Sequence, residues 1–160
     1  MTGAQRGVVP AGMDDPFADD LTQPFWDAAL QGRLVAPKCT GCGTVVLYPQ
    51  PFCFGCQGRN FEWLELPGTG TIYTFTIVRH ALGPGLDEIV PYVSGVIDID
   101  GTQGAGARML GNVVDCDPEI VEIGDRVRVR FDSVSDTYAI PRWIRSPGPW
   151  PGSVSTLTGF

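Results

Sequence analysis

The chain has 160 residues, 43% of them hydrophobic and 18% charged, a balance that excludes wholesale disorder. Eighteen acidic against eleven basic residues leave a net charge of −7. That charge argues against sequence-independent binding to a phosphate backbone. No stretch approaches the roughly 18 apolar residues of a membrane span. The opening residues lack the basic-then-apolar pattern of a signal peptide. The expected location is therefore the cytoplasm, where five cysteines meet a reducing environment. Clustered cysteines there read first as metal ligands.

Residues 1–18 carry Gly, Pro and Asp with little apolar period, and read as a flexible arm. A short helix is expected near 23–31. Thr22 stands as its N-cap, Pro24 lies in its first turn, and Gly32 can supply a left-handed C-terminal residue. Phe25, Trp26, Ala29 and Leu30 would share the packed side of that helix.

Helix and cysteine block together occupy 19–66. Cys39-Thr-Gly-Cys42 and Cys53-Phe-Gly-Cys56 are two C-x-x-C knuckles separated by ten residues. Two residues between cysteines let one tight turn offer both sulfurs to one ion. Four thiolates complete a tetrahedral zinc shell at about 2.3 Å. Gly41, Gly43, Gly55 and Gly58 are expected to permit positive φ angles in those turns. Four cysteines leave no open water position, so a zinc here is structural and not catalytic.

Five strands are expected over 67–145: Thr69–His80, Pro91–Ile99, Ala107–Cys116, Arg126–Phe131 and Tyr138–Arg145. Pro141 demotes the last to an edge or bulged strand. Five short strands in about 80 residues fit an OB-fold barrel, with an SH3-like barrel as the alternative. The overall expectation is a mainly β chain: short helix, zinc ribbon, OB-fold. Residues 146–160 form a second irregular tail, with Trp150 and Phe160 as its sticky points.

Other chemistry is sparse. Cys116 and the lone His80 are the one conceivable nucleophile–base pair, which would make the chain an independent thioester hydrolase. Tyr73, Phe75 and Tyr92 could stack bases on the barrel face of a single-stranded nucleic-acid module. Arg126, Arg128 and Arg130 are the densest basic cluster, on one face of an amphipathic strand. Arg79, Arg142 and Arg145, at strand ends, are candidate grips for an anionic cofactor.

The ordered set PFWDAALQGRL, CTGC, CFGC, Glu62-Trp63, GTGTIYTFTIVRHA, VPYVSGVIDID, LGNVVDCDPEIVEIGDRVRVRF and IPRW resembles a bacterial and archaeal family of acyl-CoA-associated proteins. That family joins a rubredoxin-like zinc ribbon to an OB-fold. The resemblance implies a non-catalytic accessory subunit that assembles with a thiolase-superfamily enzyme, such as a thiolase, an acyltransferase or a sterol-carrier-protein-type aldolase of steroid side-chain breakdown. It gives Cys39, Cys42, Cys53 and Cys56 the zinc role and supplies no catalytic residue. An acyl-CoA substrate would then lie at or near the interface, with Arg79, His80, Arg142, Arg145 and Trp150 as candidate contacts. Neither a nucleic acid nor a membrane is expected as partner.

Overall fold

The structure, a computed structural model, describes residues 18–81, 83, 87–102 and 107–146. Both tails, including Trp150, lie outside the described residues, apart from Ala18 and Ser146.

Helix α1 spans Gln23–Leu30. Thr22 makes no side-chain cap bond there. The chain turns one step earlier, at Asp19. Its carboxylate accepts the Thr22 N–H at 2.8 Å, while the Thr22 hydroxyl accepts the Asp19 N–H at 3.1 Å. This reciprocal pair satisfies donors that a helix start would otherwise leave open. At the other end Gly32, at φ 72°, closes the helix as expected. The Arg33 N–H reaches back to the Ala28 carbonyl, the left-handed ending that glycine allows without steric cost. The packed side is Phe25, Ala28 and Ala29, and Leu30 turns outward.

The ribbon is built on β1 (Val35–Cys39) and β2 (Phe61–Glu65), paired antiparallel. Between them Val45 makes only a single bridge to Lys38, so the segment linking the knuckles is mostly loop. Five further strands follow: β3 (Thr69–Val78), β4 (Tyr92–Ile99), β5 (Arg108–Val114), β6 (Arg126–Ser133) and β7 (Ala139–Arg145). They close into a barrel in the order β3-β4-β5-β7-β6. Each neighbour pairs antiparallel except β5 with β7, which run parallel. Closure through one parallel pair gives the five-stranded OB-type barrel rather than the SH3-like alternative. That pair is short, Val113 with Trp143 and Val114 with Ile144. Pro141, which has no N–H to give, lies where β7 has already parted from β5.

One core joins the two parts. Phe25, Leu34, Ala36, Val45 and Leu66 from the helix and ribbon base pack with Ile72, Val93, Ile97, Met109, Val127 and the fully buried Trp143 of the barrel. A second, small cluster holds only Cys39, Val46 and Cys53, with Phe61 against it. The ribbon base thus shares the barrel's apolar burial, whereas the ribbon tip has almost none of its own.

Candidate functional site

The two knuckles fold alike. In each, an N–H four residues on returns to the first cysteine's carbonyl: Gly43 to Cys39 and Gln57 to Cys53, both at 2.8 Å. Each closing residue takes a positive φ, 76° at Gly43 and 62° at Gln57. The sequence therefore misplaces the glycines. Of the four expected to supply left-handed backbone, only Gly43 does so, and Gln57 takes that position in the second knuckle. Gly55 and Gly58 matter through closeness instead, and Gly41 shows neither constraint. A Cβ at Gly58 would stand 3.2 Å from the Cys56 sulfur, and one at Gly55 3.1 Å from the Thr44 hydroxyl.

All four cysteine sulfurs lie within 4.8 Å of one another. The Cys39–Cys56 and Cys42–Cys53 separations are 3.5 and 3.6 Å. A disulfide would need about 2.05 Å. Four sulfurs around zinc at 2.3 Å should stand about 3.8 Å apart. The spacing is therefore that of ligands around an ion. Cys39 and Cys53 are buried, and Cys42 and Cys56 exposed, so each knuckle contributes one inner and one outer sulfur.

The thiols are electrically unequal. The Thr44 hydroxyl, 3.1 Å from the Cys42 sulfur, is the main cause that lowers that thiol to about 6. At Cys56 the Gly58 amide pulls downward, but the Cys42, Cys39 and Cys53 sulfurs push the thiol up to about 12. Four packed thiols cannot all ionise without a cation between them. Metal capture at this site must therefore release protons.

The other candidate residues are not brought together. Arg79 donates to Glu119 at 2.5 Å. Arg145 grips Asp125 through Nε at 2.6 Å and Nη2 at 3.1 Å. The largely buried Arg142 donates to Asn112 beside Asp132. Burial pulls its guanidinium below the ordinary arginine range. Of the three clustered arginines, Arg126 is paired with Asp100, and Arg130 with Asp115 and Asp132. These pairings lower the strand's capacity to grip phosphates. His80 is exposed and, among the described residues, no hydrogen bond joins it to Cys116. Burial raises the Cys116 thiol above its usual value, whereas a nucleophilic cysteine needs it lowered.

The Arg145 grip, first among the causes, holds the Asp125 carboxyl below the usual carboxylate range. A depressed folded-state value stabilises the fold above the unfolded value of about 3.9, and this contribution fades as pH falls below it. Asp125→Asn should cost roughly 2 kcal/mol near neutrality. The gap to wild type should shrink below about pH 4, read by denaturant unfolding at stepped pH. A constant gap would refute the assignment.

Residues 26–62 match the ChsH2 rubredoxin-like zinc ribbon domain, and residues 63–132 match the ChsH2 C-terminal OB-fold domain. The chain is 34% identical to a DUF35 domain-containing scaffold protein of Methanocaldococcus jannaschii, over 64% of this chain and 70% of that one. The chain belongs to the ChsH2/DUF35 family. It is also 25% identical to the 3-oxo-4,17-pregnadiene-20-carboxyl-CoA hydratase alpha subunit of Mycobacterium tuberculosis, over 84% of this chain but only 40% of that subunit. Among solved structures, a chain of the Ltp2-ChsH2(DUF35) aldolase superposes with a TM-score of 0.71 at 26% identity, covering 82% of this chain and 98% of that one.

As a ChsH2-type ribbon, the tip is a structural zinc site of Cys39, Cys42, Cys53 and Cys56. When bound, the ion supplies folding energy and no open coordination position. No helix among the described residues is long and apolar enough to cross a membrane.

What sequence reasoning missed is the seam between ribbon and barrel. Tyr48, midway between the knuckles, accepts the Leu110 N–H of β5 on its phenol oxygen at 3.0 Å. Beside it the Arg108 guanidinium stands 3.5 Å over the Tyr73 ring. Tyr48 could have been noticed as an aromatic ahead of the Pro49-Gln50-Pro51 reversal, but nothing local names Leu110 as its partner.

Proposed function

We propose that this chain is a non-catalytic zinc-ribbon subunit that assembles with a thiolase-superfamily enzyme acting on acyl-CoA thioesters, in steroid side-chain degradation. The observation that carries the reading is the superposition on nearly the whole length of a chain of the Ltp2-ChsH2(DUF35) aldolase. The Mycobacterium tuberculosis relative, named for a steroid-derived CoA thioester, supports the substrate class.

The chemistry fits a supporting role. Four cysteines saturate the zinc, and the one conceivable nucleophile has a raised thiol. Catalysis therefore falls to the partner, while this chain supplies a folded surface. Arg79 and His80, both exposed at the end of β3, are the residues we assign to the acyl-CoA or partner side.

Co-expression with the Ltp2-type aldolase subunit of the same genome is the test. The expected result is a complex that survives gel filtration and cleaves its CoA thioester, with activity lost when this chain is omitted. A partner that is equally active alone, with no complex formed, would refute the reading.

A further inference from the structure

Three large apolar side chains meet where the ribbon tip joins the barrel. Tyr48 comes from the loop between the knuckles, where Phe52 and Phe54 follow it in sequence, Tyr73 from β3 and Leu110 from β5. All five of these residues are between 41% and 58% exposed. The hydrogen bond from Leu110 to Tyr48 and the stacking of Arg108 on Tyr73 tie the two sides into one surface. At 150–250 Å² for a large side chain, about half of it exposed, Tyr48, Tyr73 and Leu110 present on the order of 300 Å² of apolar area. A contiguous patch of a few hundred Å² is about the largest that a monomer ordinarily leaves open, and such patches are often functional.

The backbone beneath is also unfinished. Pairing of β5 with β7 covers only Val113 and Val114. Since the Leu110 N–H goes to Tyr48, it points away from β4, and alternation gives Arg108 the same outward orientation. Among the described residues no strand pairs with β5 at Arg108 or Leu110 on that edge. A side chain of the ribbon stands where a strand would otherwise cover the sheet.

From this we infer that the Tyr48–Leu110 seam is the docking surface for the enzyme subunit of the proposed complex. The inference rests on that reading and adds the place. The area favours a protein over a small ligand, because about 300 Å² is more than a third of the roughly 800 Å² each partner contributes to a standard interface. Charge decides the rest. A second copy would bring two chains of −7 together and set Arg108 against its own counterpart. A neutral or basic apolar face on a different subunit meets no such penalty.

The test measures affinity of the full zinc-loaded chain for the Ltp2-type subunit by biolayer interferometry. Leu110→Asp and Tyr73→Asp, both at exposed positions, should each weaken binding by about 100-fold, as loss of a central interface anchor does. Trp63→Ser, on the far strand of the ribbon, should leave it unchanged. Metal content and melting temperature should match wild type in all three. Wild-type affinity in Leu110→Asp and Tyr73→Asp would overturn the surface assignment while leaving the proposed function standing. So would loss of binding in Trp63→Ser. No binding by the wild-type chain would overturn the proposed function itself, and the seam's occupant with it. A homodimer in sedimentation, dissolved by Leu110→Asp, would reassign the surface to self-association.

Discussion

Chelation of zinc should unfold the two knuckles and the small cluster beneath them, and leave the barrel folded. The reason is the division of apolar burial. At the tip the cluster is Cys39, Val46 and Cys53 with Phe61 against it, and two of its three buried members are ligands. Such a cluster cannot offset the chain entropy of ordering two knuckles, at about 1–2 kcal/mol per residue of backbone. Structural zinc contributes roughly 10–16 kcal/mol in small ribbons and fingers, and most of that is folding energy. The barrel draws instead on Ile72, Val93, Ile97, Met109, Val127 and Trp143, none of which touches the metal site's own cluster. Hydrogen exchange separates the two. After chelation, amides of Gly43, Val46, Cys53 and Gln57, which are hydrogen-bonded in the folded tip, should lose protection. Those of Ile72 and Val129 should keep theirs. Cys53→Ser should reproduce the chelated pattern, and Cys116→Ser should not. Retention of tip protection without metal would refute the structural role of the ion.

Loss of the tip would also release Tyr48 from the Leu110 amide, so the β5 edge opens when zinc leaves. The metal thereby sits upstream of the docking surface as well as of local folding. A chelated chain should fail to bind the enzyme subunit although its barrel persists.

How much of this could be read beforehand depends on how local each cause is. Two C-x-x-C pairs declare themselves, because ligand spacing is a short-range property of one turn. The strands were legible through alternation, most plainly Arg126 to Phe131, and the strand boundaries moved by only a few residues. The helix side was partly misread. Leu30 is more apolar than Ala28, yet Ala28 is buried and Leu30 is 40% exposed, because the helix's rotation is set by how it packs rather than by which residue is most apolar. The left-handed position in the second knuckle went to Gln57, whose N–H is held by the Cys53 carbonyl four residues back. Pairings at long separation left no trace in the sequence. Arg145 with Asp125 and Tyr48 with Leu110 exist because the barrel closes, and closure is set by the whole strand order.

Gly111 and Trp143 show the same long-range dependence with a large energy attached. Trp143 is fully buried on β7, and a Cβ at Gly111 of β5 would lie 2.7–2.8 Å from its indole. Glycine at 111 is required for room, not for backbone freedom. Trp143→Ala should cost about 3–5 kcal/mol through lost burial and a cavity, which is a large part of the 5–15 kcal/mol of an ordinary domain. Gly111→Ala should cost about 1–3 kcal/mol through overpacking against a rigid ring. Contact between the two makes their effects non-additive. In the double variant the added methyl enters the space the indole vacated, so the combined cost should fall short of the sum by about 1 kcal/mol or more. Urea unfolding of the zinc-loaded chain reads all four corners of the cycle, and Trp143→Phe replaces Trp143→Ala if the latter does not fold. Strict additivity would mean that the β5–β7 seam is looser than the buried indole implies.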